Sequence, residues 1–310
     1  MADYLADFKR IDLIYKTLNE VDFEVAVLLP KSLASSQPDI TCPLAAHFHG
    51  GGLVIGTVLD PFFTAKWFLE LAARENAIIV SPTYRLMPEA RVLDIIDDIK
   101  DFWAWAHSDL PSAVAAQWPH ITLDPDRTAV YGGILALQSA FLCPEAEIKV
   151  VMAQYPGLSW DVDPVKWEQI EERKAAAPAE THAIVDTYMA GIKPGAIRLK
   201  TPFPENLDLL KALAVTGRYR ENKGRDEVMS LDYAMRTNKT LPPMWIAQGS
   251  EDRFVPKAGN DEMVRRIREA HPEVPLLYTV QPGDHGFDVP FGLDEPWVAE
   301  GGEFVKKYWP

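Results

Sequence analysis

Short apolar segments that alternate with amphipathic helical patterns constrain the fold of this chain more than any other feature. Six segments have the composition of strands buried on both faces, namely 44–49, 77–84, 128–131, 150–154, 244–247 and 276–280. Helical patterns occupy 62–75, 92–107, 134–142 and 260–270. Strands that alternate with helices predict an α/β fold, in which a mostly parallel sheet is covered by helices on both faces. An earlier segment, 11–29, predicts an antiparallel hairpin or meander that leads into the sheet.

The alternation is interrupted between residues 158 and 240. This stretch contains helix-like pieces at 164–176, 180–190 and 207–215 and a charged segment at 218–226. It is too long to be a simple connection. We therefore predict a helical cap, inserted into a core that comprises 1–157 and 241–310. The alternative is a second helical layer that covers no site.

Composition excludes several classes of partner. The chain has 310 residues, a net charge of -14 and a pI of about 5.0, and an acidic surface repels nucleic acid and anionic membranes. No segment approaches the roughly 18 apolar residues of a membrane span, and the N-terminus lacks the apolar region of a secretory signal. Cys42 and Cys143 have no metal-ligand spacing. We expect a cytoplasmic protein with neither a metal nor another cofactor.

A histidine and three glycines, His49, Gly50, Gly51 and Gly52, follow the first of the six apolar segments. Acyl transfer places negative charge on a carbonyl oxygen, and backbone N–H groups can stabilise that charge. Glycine lets the backbone approach closely and adopt positive φ. The plain alternative is a tight strand-to-helix turn, in which glycine is also common. Together with the residues downstream, the motif favours an oxyanion-binding loop.

Two polar residues follow the last two predicted strands. Asp252 and His285 each lie beyond the carboxyl end of an apolar segment, where catalytic groups of open α/β sheets are found. The imidazole would act as a base, and the carboxylate would fix its tautomer and stabilise its cation. Asp284 and Asp161 are the alternatives for the acid.

Five motifs in this order resemble the α/β-hydrolase fold, and within it the hormone-sensitive-lipase-like esterases. The motifs are His49-Gly50-Gly51-Gly52, Tyr84-Arg85-Leu86-Met87-Pro88-Glu89, Asp124-Pro125-Asp126-Arg127 leading into Val130-Tyr131-Gly132-Gly133, Gly249-Ser250-Glu251-Asp252, and His285-Gly286-Phe287. The resemblance covers the chain from about residue 11 to its end. It implies oxyanion donors in the glycine loop, a His285–Asp252 pair, and a serine nucleophile at a Gly-x-Ser-x-Gly elbow.

The elbow itself contains no serine. It reads Tyr131-Gly132-Gly133-Ile134-Leu135-Ala136. In an ungapped alignment Ile134 replaces the serine. In a gapped alignment, which we favour, the Ser-x-Gly-Gly portion is deleted and Leu135 belongs to the apolar helix that follows the elbow. A β-branched residue tolerates positive φ poorly, so we predict a relaxed turn without a hydroxyl.

Other nucleophiles are poor replacements. Ser139 is expected inside a helix, bonded to the preceding turn, and Cys143 lies still further along. Ser159 follows a strand end but lacks an elbow. A nucleophile must come within hydrogen-bond reach of its base, so we do not favour a substitute.

Aromatic side chains after the glycine loop and at the start of the cap either line an apolar pocket or belong to the core. The sequence leaves both open for Phe62, Phe63, Trp67, Phe68, Trp160 and Trp167, with Met87.

These residues predict an α/β-hydrolase-like protein that has lost its nucleophile. A His285–Asp252 pair can still move protons, and the glycine loop can still polarise a carbonyl group. That combination suits elimination, enolisation or cyclisation of a small apolar carbonyl metabolite, as in secondary metabolism. The alternatives are a binding pseudoenzyme and a residual carboxylic ester hydrolase with an unconventional nucleophile. The expected partner is a small apolar carbonyl or ester-like molecule, with a homodimer left open.

Overall fold

An eight-stranded sheet forms the centre of the computed structural model, which describes residues 4–34, 39–157, 172, 174–219, 231–238 and 240–309. The strands are β1 (Phe8–Leu18), β2 (Val21–Pro30), β3 (Ile40–Phe48), β4 (Ile78–Pro82), β5 (Ile121–Gly132), β6 (Ile148–Gln154), β7 (Met244–Gly249) and β8 (Leu276–Gln281). Their order in the sheet is β1-β2-β4-β3-β5-β6-β7-β8. The pairs β1–β2 and β2–β4 are antiparallel and the other neighbours are parallel. The predicted α/β fold and its leading hairpin are confirmed.

Helices cover both faces of this sheet. They are α1 (Lys31–Ala34), α2 (Lys66–Arg74), α3 (Val92–Ser108), α4 (Leu110–Gln117), α5 (Ile134–Leu142), α6 (Ala179–Gly191), α7 (Leu207–Val215), α8 (Leu231–Thr237), α9 (Lys257–Ala270) and α10 (Pro296–Lys306). Apolar residues of α3, α5 and α9 pack on one face. Those of α2 and α10 pack on the other. Each strand alternates its side chains between the two layers, which is why the apolar runs are continuous.

The predicted helix 62–75 is wrong at its start, because α2 begins only at Lys66. The preceding residues form a turn in which the Asp60 carboxylate accepts a hydrogen bond from the Phe62 amide, at 3.0 Å. An aspartate that bonds the backbone two residues ahead offers the chain an alternative to helix. Phe62 is thereby left outside the helix, half-exposed.

The helices α6, α7 and α8 lie between β6 and β7 along the chain, within the stretch predicted to be a cap. The segment before α7 is fastened to the core by Arg198, which donates to Glu89 Oε2 at 2.9 Å and to the Val54 carbonyl at 2.7 Å. Residues 158–171 and 220–230 lie outside the described residues, with most of the predicted helix 164–176 and of the segment 218–226. The division into core and cap stays a prediction.

Within the described ranges, no helix combines the length and the apolar character needed to cross a membrane.

Candidate active site

Five neighbouring strands bring the predicted site residues to one edge of the sheet. In sheet order β3, β5, β6, β7 and β8 are consecutive, and in a parallel sheet their carboxyl ends meet at the same edge. The residues beyond these ends are, in that order, the Gly50–Gly52 loop, the Gly132–Gly133 turn, Tyr155, Asp252 and His285. The glycine loop and the His–Asp pair therefore flank the turn that lacks a serine.

His285 and Asp252 form a hydrogen-bonded pair. His285 Nδ1 lies 2.9 Å from Asp252 Oδ2, the carboxylate is fully buried, and the imidazole is 32% exposed. Asp252 Oδ1 accepts the backbone N–H groups of Phe254 and Val255, at 2.9 and 2.7 Å. The other oxygen, Oδ2, accepts a hydrogen bond from Nδ1–H of the imidazole, so the lone pair of the imidazole is on Nε2. This is the tautomer that a general base needs.

Aromatic rings flank the imidazole. The ring of Tyr155 lies 4.2 Å from that of His285, centroid to centroid, and the ring of Phe254 lies 5.5 Å away. The Tyr155 hydroxyl donates to Asp288 Oδ1 at 2.9 Å, and Trp67 Nε1 donates to Oδ2 of the same carboxylate at 3.1 Å. Burial raises the pKa of the Asp288 carboxyl. The sequence alone does not identify Tyr155 and Asp288 as site residues. The only signals in the sequence are that Tyr155 directly follows a strand and that Asp288 lies three residues after His285.

The alternative acids are placed differently. Asp284 accepts hydrogen bonds from the Arg253 amide at 3.0 Å and from its Nε at 2.7 Å, and from the backbone N–H of His285 at 2.8 Å. The Arg253 guanidinium holds the pKa of this carboxyl well below its usual range. Its oxygens are thus directed at Arg253 and at the backbone, and Asp252 is the partner of the imidazole. Asp161, with Ser159, Trp160 and Trp167, lies outside the described residues.

The carbonyl groups of Gly50 and Gly51 in the glycine loop accept hydrogen bonds from neighbouring residues. The Gly50 carbonyl accepts a hydrogen bond from His49 Nδ1 at 2.8 Å, and the Gly51 carbonyl accepts the amides of Val54 and Ile55 at 3.1 and 3.0 Å. In a trans peptide the N–H points opposite to the carbonyl. The N–H groups of Gly51 and Gly52 are therefore directed away from these bonds, and neither has an acceptor among the described residues. Backbone N–H groups without an acceptor are the donors that an oxyanion would need, and the oxyanion role of this loop stays a prediction.

Positive φ explains why glycine occupies two of the positions in this loop. Gly51 has φ +97 and Gly52 has φ +61, and a Cβ on Gly51 would lie 2.1 Å from the Ile55 carbonyl oxygen. A side chain at Gly51 would therefore force the loop to move.

His49 supports the loop as a neutral group. Burial lowers its pKa to about 4, its ring stacks on Tyr84 at 4.4 Å, and the Tyr84 hydroxyl donates to the His49 carbonyl at 2.8 Å. His47 is packed in the core against Tyr131, with 5.2 Å between the ring centroids, and burial lowers its pKa to about 3. Neither imidazole is a cation near neutral pH, so the loop offers backbone donors alone.

The turn between β5 and α5 carries no side chain. A Cβ on Gly132 (φ +148) would lie 2.5 Å from the Phe48 carbonyl oxygen, and Gly133 caps α5, which begins at Ile134. Within this turn only Gly132 has positive φ, so Ile134 is not held in the strained conformation of an elbow. Ser139 donates to the Leu135 carbonyl at 2.8 Å, as predicted for a buried helical hydroxyl. Which alignment of the elbow applies stays a prediction.

An apolar wall borders the glycine loop; we define it as Phe62, Phe63, Phe203 and Leu210. The positions that a Cβ would take on Gly50 and Gly52 are 2.8 Å from Phe63 Cδ1 and 3.0 Å from Leu210 Cδ1. The Phe203 ring lies 4.3 Å from that of Phe62, which is 51% exposed. The other candidates of this group, Trp67, Phe68 and Met87, are fully buried in the core. The aromatic residues thus divide between wall and core.

The described residues contain no group of three or more histidine, cysteine, aspartate or glutamate side chains that could hold a metal ion.

Comparison with known families matches residues 45–288 to a family described as alpha/beta hydrolase fold. The chain is 29% identical to "Probable carboxylesterase M8" of a Phoma species, over 98% of this chain and 97% of that protein. It is 34% identical to "Probable carboxylesterase clz11" of Cochliobolus lunatus, over 58% of this chain and 86% of that protein.

Solved structures show the same fold. A thermostable esterase from Pseudomonas putida superposes with a TM-score of 0.61 at 17% identity, covering 99% of this chain and 85% of that one. Esterase 2 of Thermogutta terrifontis superposes with a TM-score of 0.59 at 17% identity, covering 98% and 94%.

Proposed function

The chain belongs to the α/β-hydrolase fold family, in its hormone-sensitive-lipase-like branch, and we propose that it is a serine-independent acid–base catalyst of a small apolar carbonyl compound. One observation carries the proposal. The His285–Asp252 pair is aligned at 2.9 Å, while the turn that should present a hydroxyl consists of Gly132 and Gly133. In this proposal such a site has a base and oxyanion donors, and the described part of the turn presents no hydroxyl that could form an acyl-enzyme.

The chemistry that these groups support is enolisation. His285 Nε2 removes a proton from the carbon next to the carbonyl group, and the C–H electron pair becomes the C=C bond of an enolate. The carbonyl π electrons move to oxygen, where the N–H groups of Gly51 and Gly52 stabilise the charge. The imidazolium, stabilised by Asp252, returns its proton to carbon or to a leaving group. Elimination and cyclisation begin with the same proton transfer.

The substrate is uncharged and apolar in this proposal. In the wall, Phe63 and Leu210 lie against Gly50 and Gly52, and the Phe203 ring packs on those of Phe62 and Phe63. His49, the nearest imidazole to the loop, is neutral because burial lowers its pKa to about 4. A pocket lined by aromatic and aliphatic groups with few polar atoms favours ligands of the same character.

Deuterium uptake by 2-tetralone tests the proposal, since this apolar ketone, with a benzene ring fused to its carbocycle, has acidic protons beside its carbonyl group. In D2O the parent protein should exchange them faster than buffer, as followed by proton NMR. His285→Ala should exchange at the buffer rate, and Asp252→Asn should be strongly impaired because it favours the wrong tautomer. Equal rates for parent and His285→Ala would refute the proposal. Binding of 2-tetralone without exchange would identify a binding pseudoenzyme.

The names of the relatives favour ester hydrolysis as a second candidate. Here His285 would take a proton from water, the hydroxide would attack the ester carbonyl, and the alkoxide leaving group would receive that proton. No acyl-enzyme would form. Turnover of p-nitrophenyl butyrate that saturates, requires His285 and resists a fluorophosphonate would support this candidate. Turnover at the rate of His285→Ala protein would exclude it.

A further inference from the structure

A chain of buried amides continues the His–Asp pair into the core. Asn260, on α9, donates from Nδ2 to Gln248 Oε1. Gln248, on β7, places Nε2 3.3 Å from Asp252 Oδ2, the oxygen that also faces His285. Gln248 and Asn260 are fully buried. One hydrogen-bonded path thus runs from α9 through β7 to the imidazole.

The orientation of the Gln248 amide is determined by its surroundings. Its Nε2 faces three acceptors, namely the Gly249 carbonyl at 3.0 Å, the Val255 carbonyl at 3.1 Å and Asp252 Oδ2 at 3.3 Å. A flipped amide would place Oε1 against these oxygens, and an amide oxygen cannot donate. The Asn260 donor on the opposite side selects the same orientation.

We propose that Gln248 is a positioning residue for the His285–Asp252 pair and that Asn260 holds Gln248 in place. Backbone N–H groups hold Oδ1 of Asp252, but they make no contact with Oδ2. Gln248 restrains Oδ2, the oxygen that orients the imidazole. Its use in catalysis rests on the proposed function, whereas its effect on the hydrogen bond between His285 and Asp252 does not.

Stability accounts for part of this amide chain, since Gln248 Nε2 donates to the Gly249 and Val255 carbonyls, but it does not account for Asn260. Asn260 Oδ1 is buried and has no partner among the described residues, and an unsatisfied buried polar atom is destabilising. Apolar residues of similar volume would remove that penalty. In this proposal Asn260 is useful because it holds the amide of Gln248 towards the Asp252 carboxylate.

A second buried glutamine provides the matched control. Gln154 ends β6, the strand beside β7, and pairs with Ala247. It is 3% exposed, and neither of its amide atoms has a partner among the described residues. Gln248→Met and Gln154→Met therefore make the same change at similar depth on adjacent strands. Only the first removes a hydrogen bond to Asp252.

The experiment follows the His285 Nδ1 proton by NMR without a substrate. In the parent this proton should give a slowly exchanging downfield resonance that is lost in His285→Ala. Gln248→Met should broaden it or shift it upfield, whereas Gln154→Met should leave it unchanged. With 2-tetralone, Gln248→Met should lower the rate of deuterium uptake about tenfold, the lower end for a hydrogen bond to a charged group.

Should Gln248→Met fail to fold, Asn260→Leu takes its place, because it frees the Gln248 amide without touching Asp252. An unchanged Nδ1 resonance in the folded variant would overturn the proposal, as would equal effects of Gln248→Met and Gln154→Met. Failure of the parent to exchange 2-tetralone would count against the proposed function only, since the resonance is measured without it.

Discussion

Replacing Gly51 with alanine tests whether the glycine loop is shaped by backbone sterics. A Cβ at Gly51 would lie 2.1 Å from the Ile55 carbonyl oxygen, and φ is +97. Left-handed backbone costs an L-residue about 1–2 kcal/mol. The clash is with backbone, so the turn must open and lose its two hydrogen bonds to the Gly51 carbonyl, each worth about 1 kcal/mol. We expect Gly51→Ala to lower the free energy of unfolding by about 3 kcal/mol.

Two other glycines separate the contribution of the positive φ from that of the steric clash. Gly195 has φ +76 with nothing within 4 Å of the added Cβ among the described residues, so Gly195→Ala reports the positive φ alone. Gly52 has φ +61, and its Cβ would lie 3.0 Å from a Leu210 methyl group, which can move. We expect a loss of about 1 kcal/mol for Gly195→Ala and slightly more for Gly52→Ala.

Urea unfolding of the three variants gives the free energies, and deuterium uptake by 2-tetralone reports whether the oxyanion donors have moved. Gly51→Ala should lose uptake, because the N–H groups of Gly51 and Gly52 turn with the loop. Gly195→Ala should keep it. Equal destabilisation by Gly51→Ala and Gly195→Ala, or full uptake by Gly51→Ala, would refute the reasoning.

Three further perturbations address the turn, the wall and the buried imidazoles. Inserting Ser-Ala-Gly-Gly between Gly133 and Ile134 should lower the thermal unfolding midpoint less than Ile134→Ser, because it restores the glycines of an elbow; the reverse order would favour the ungapped alignment. Phe62→Ala should weaken 2-tetralone binding about tenfold, as measured by calorimetry. Ile14→Ala should not weaken it, although Ile14, on β1, has the same 51% exposure as Phe62. Equal effects of the two variants would argue against the wall as the binding surface. Burial lowers the pKa of His47 to about 3. As the pH drops below about 6.5, this imidazole therefore binds a proton in the unfolded chain but not in the folded protein, and the free energy of unfolding falls. Urea unfolding at pH 7 and pH 5 should show that the free energy of unfolding falls less in His47→Gln than in the parent, by roughly 1 kcal/mol per pH unit. The same pH dependence in both proteins would contradict this.

The elements that carry the site follow from local sequence. Continuous apolar runs bounded by polar residues predict β3 to β8 because a strand buried on both faces needs them. The helix α5 was predicted with both of its ends, Ile134 and Leu142, since glycine precedes it and its apolar pattern is unbroken. The placement of Asp252 and His285 at strand ends is a consequence of parallel topology.

The contacts that shape the site depend on packing between distant segments. Nothing local distinguishes Phe62, half-exposed on the wall, from Phe68 in the core, because both are aromatic residues near one helix. Asp288 is joined to Trp67 by the close approach of two loops and a helix that lie far apart in the chain. Gln154 ends β6 and Gln248 is the penultimate residue of β7, and a polar residue near the end of a buried strand was the signal that could have been followed.

Fluorophosphonate treatment followed by deuterium uptake tests the central claim most directly, because this reagent modifies an activated serine and leaves a neutral imidazole base unmodified. The intact mass of the protein should stay unchanged, and 2-tetralone exchange through His285 should continue at the rate of the untreated protein. Stoichiometric labelling with loss of exchange would contradict the claim, since a serine within reach of His285 would then be the nucleophile.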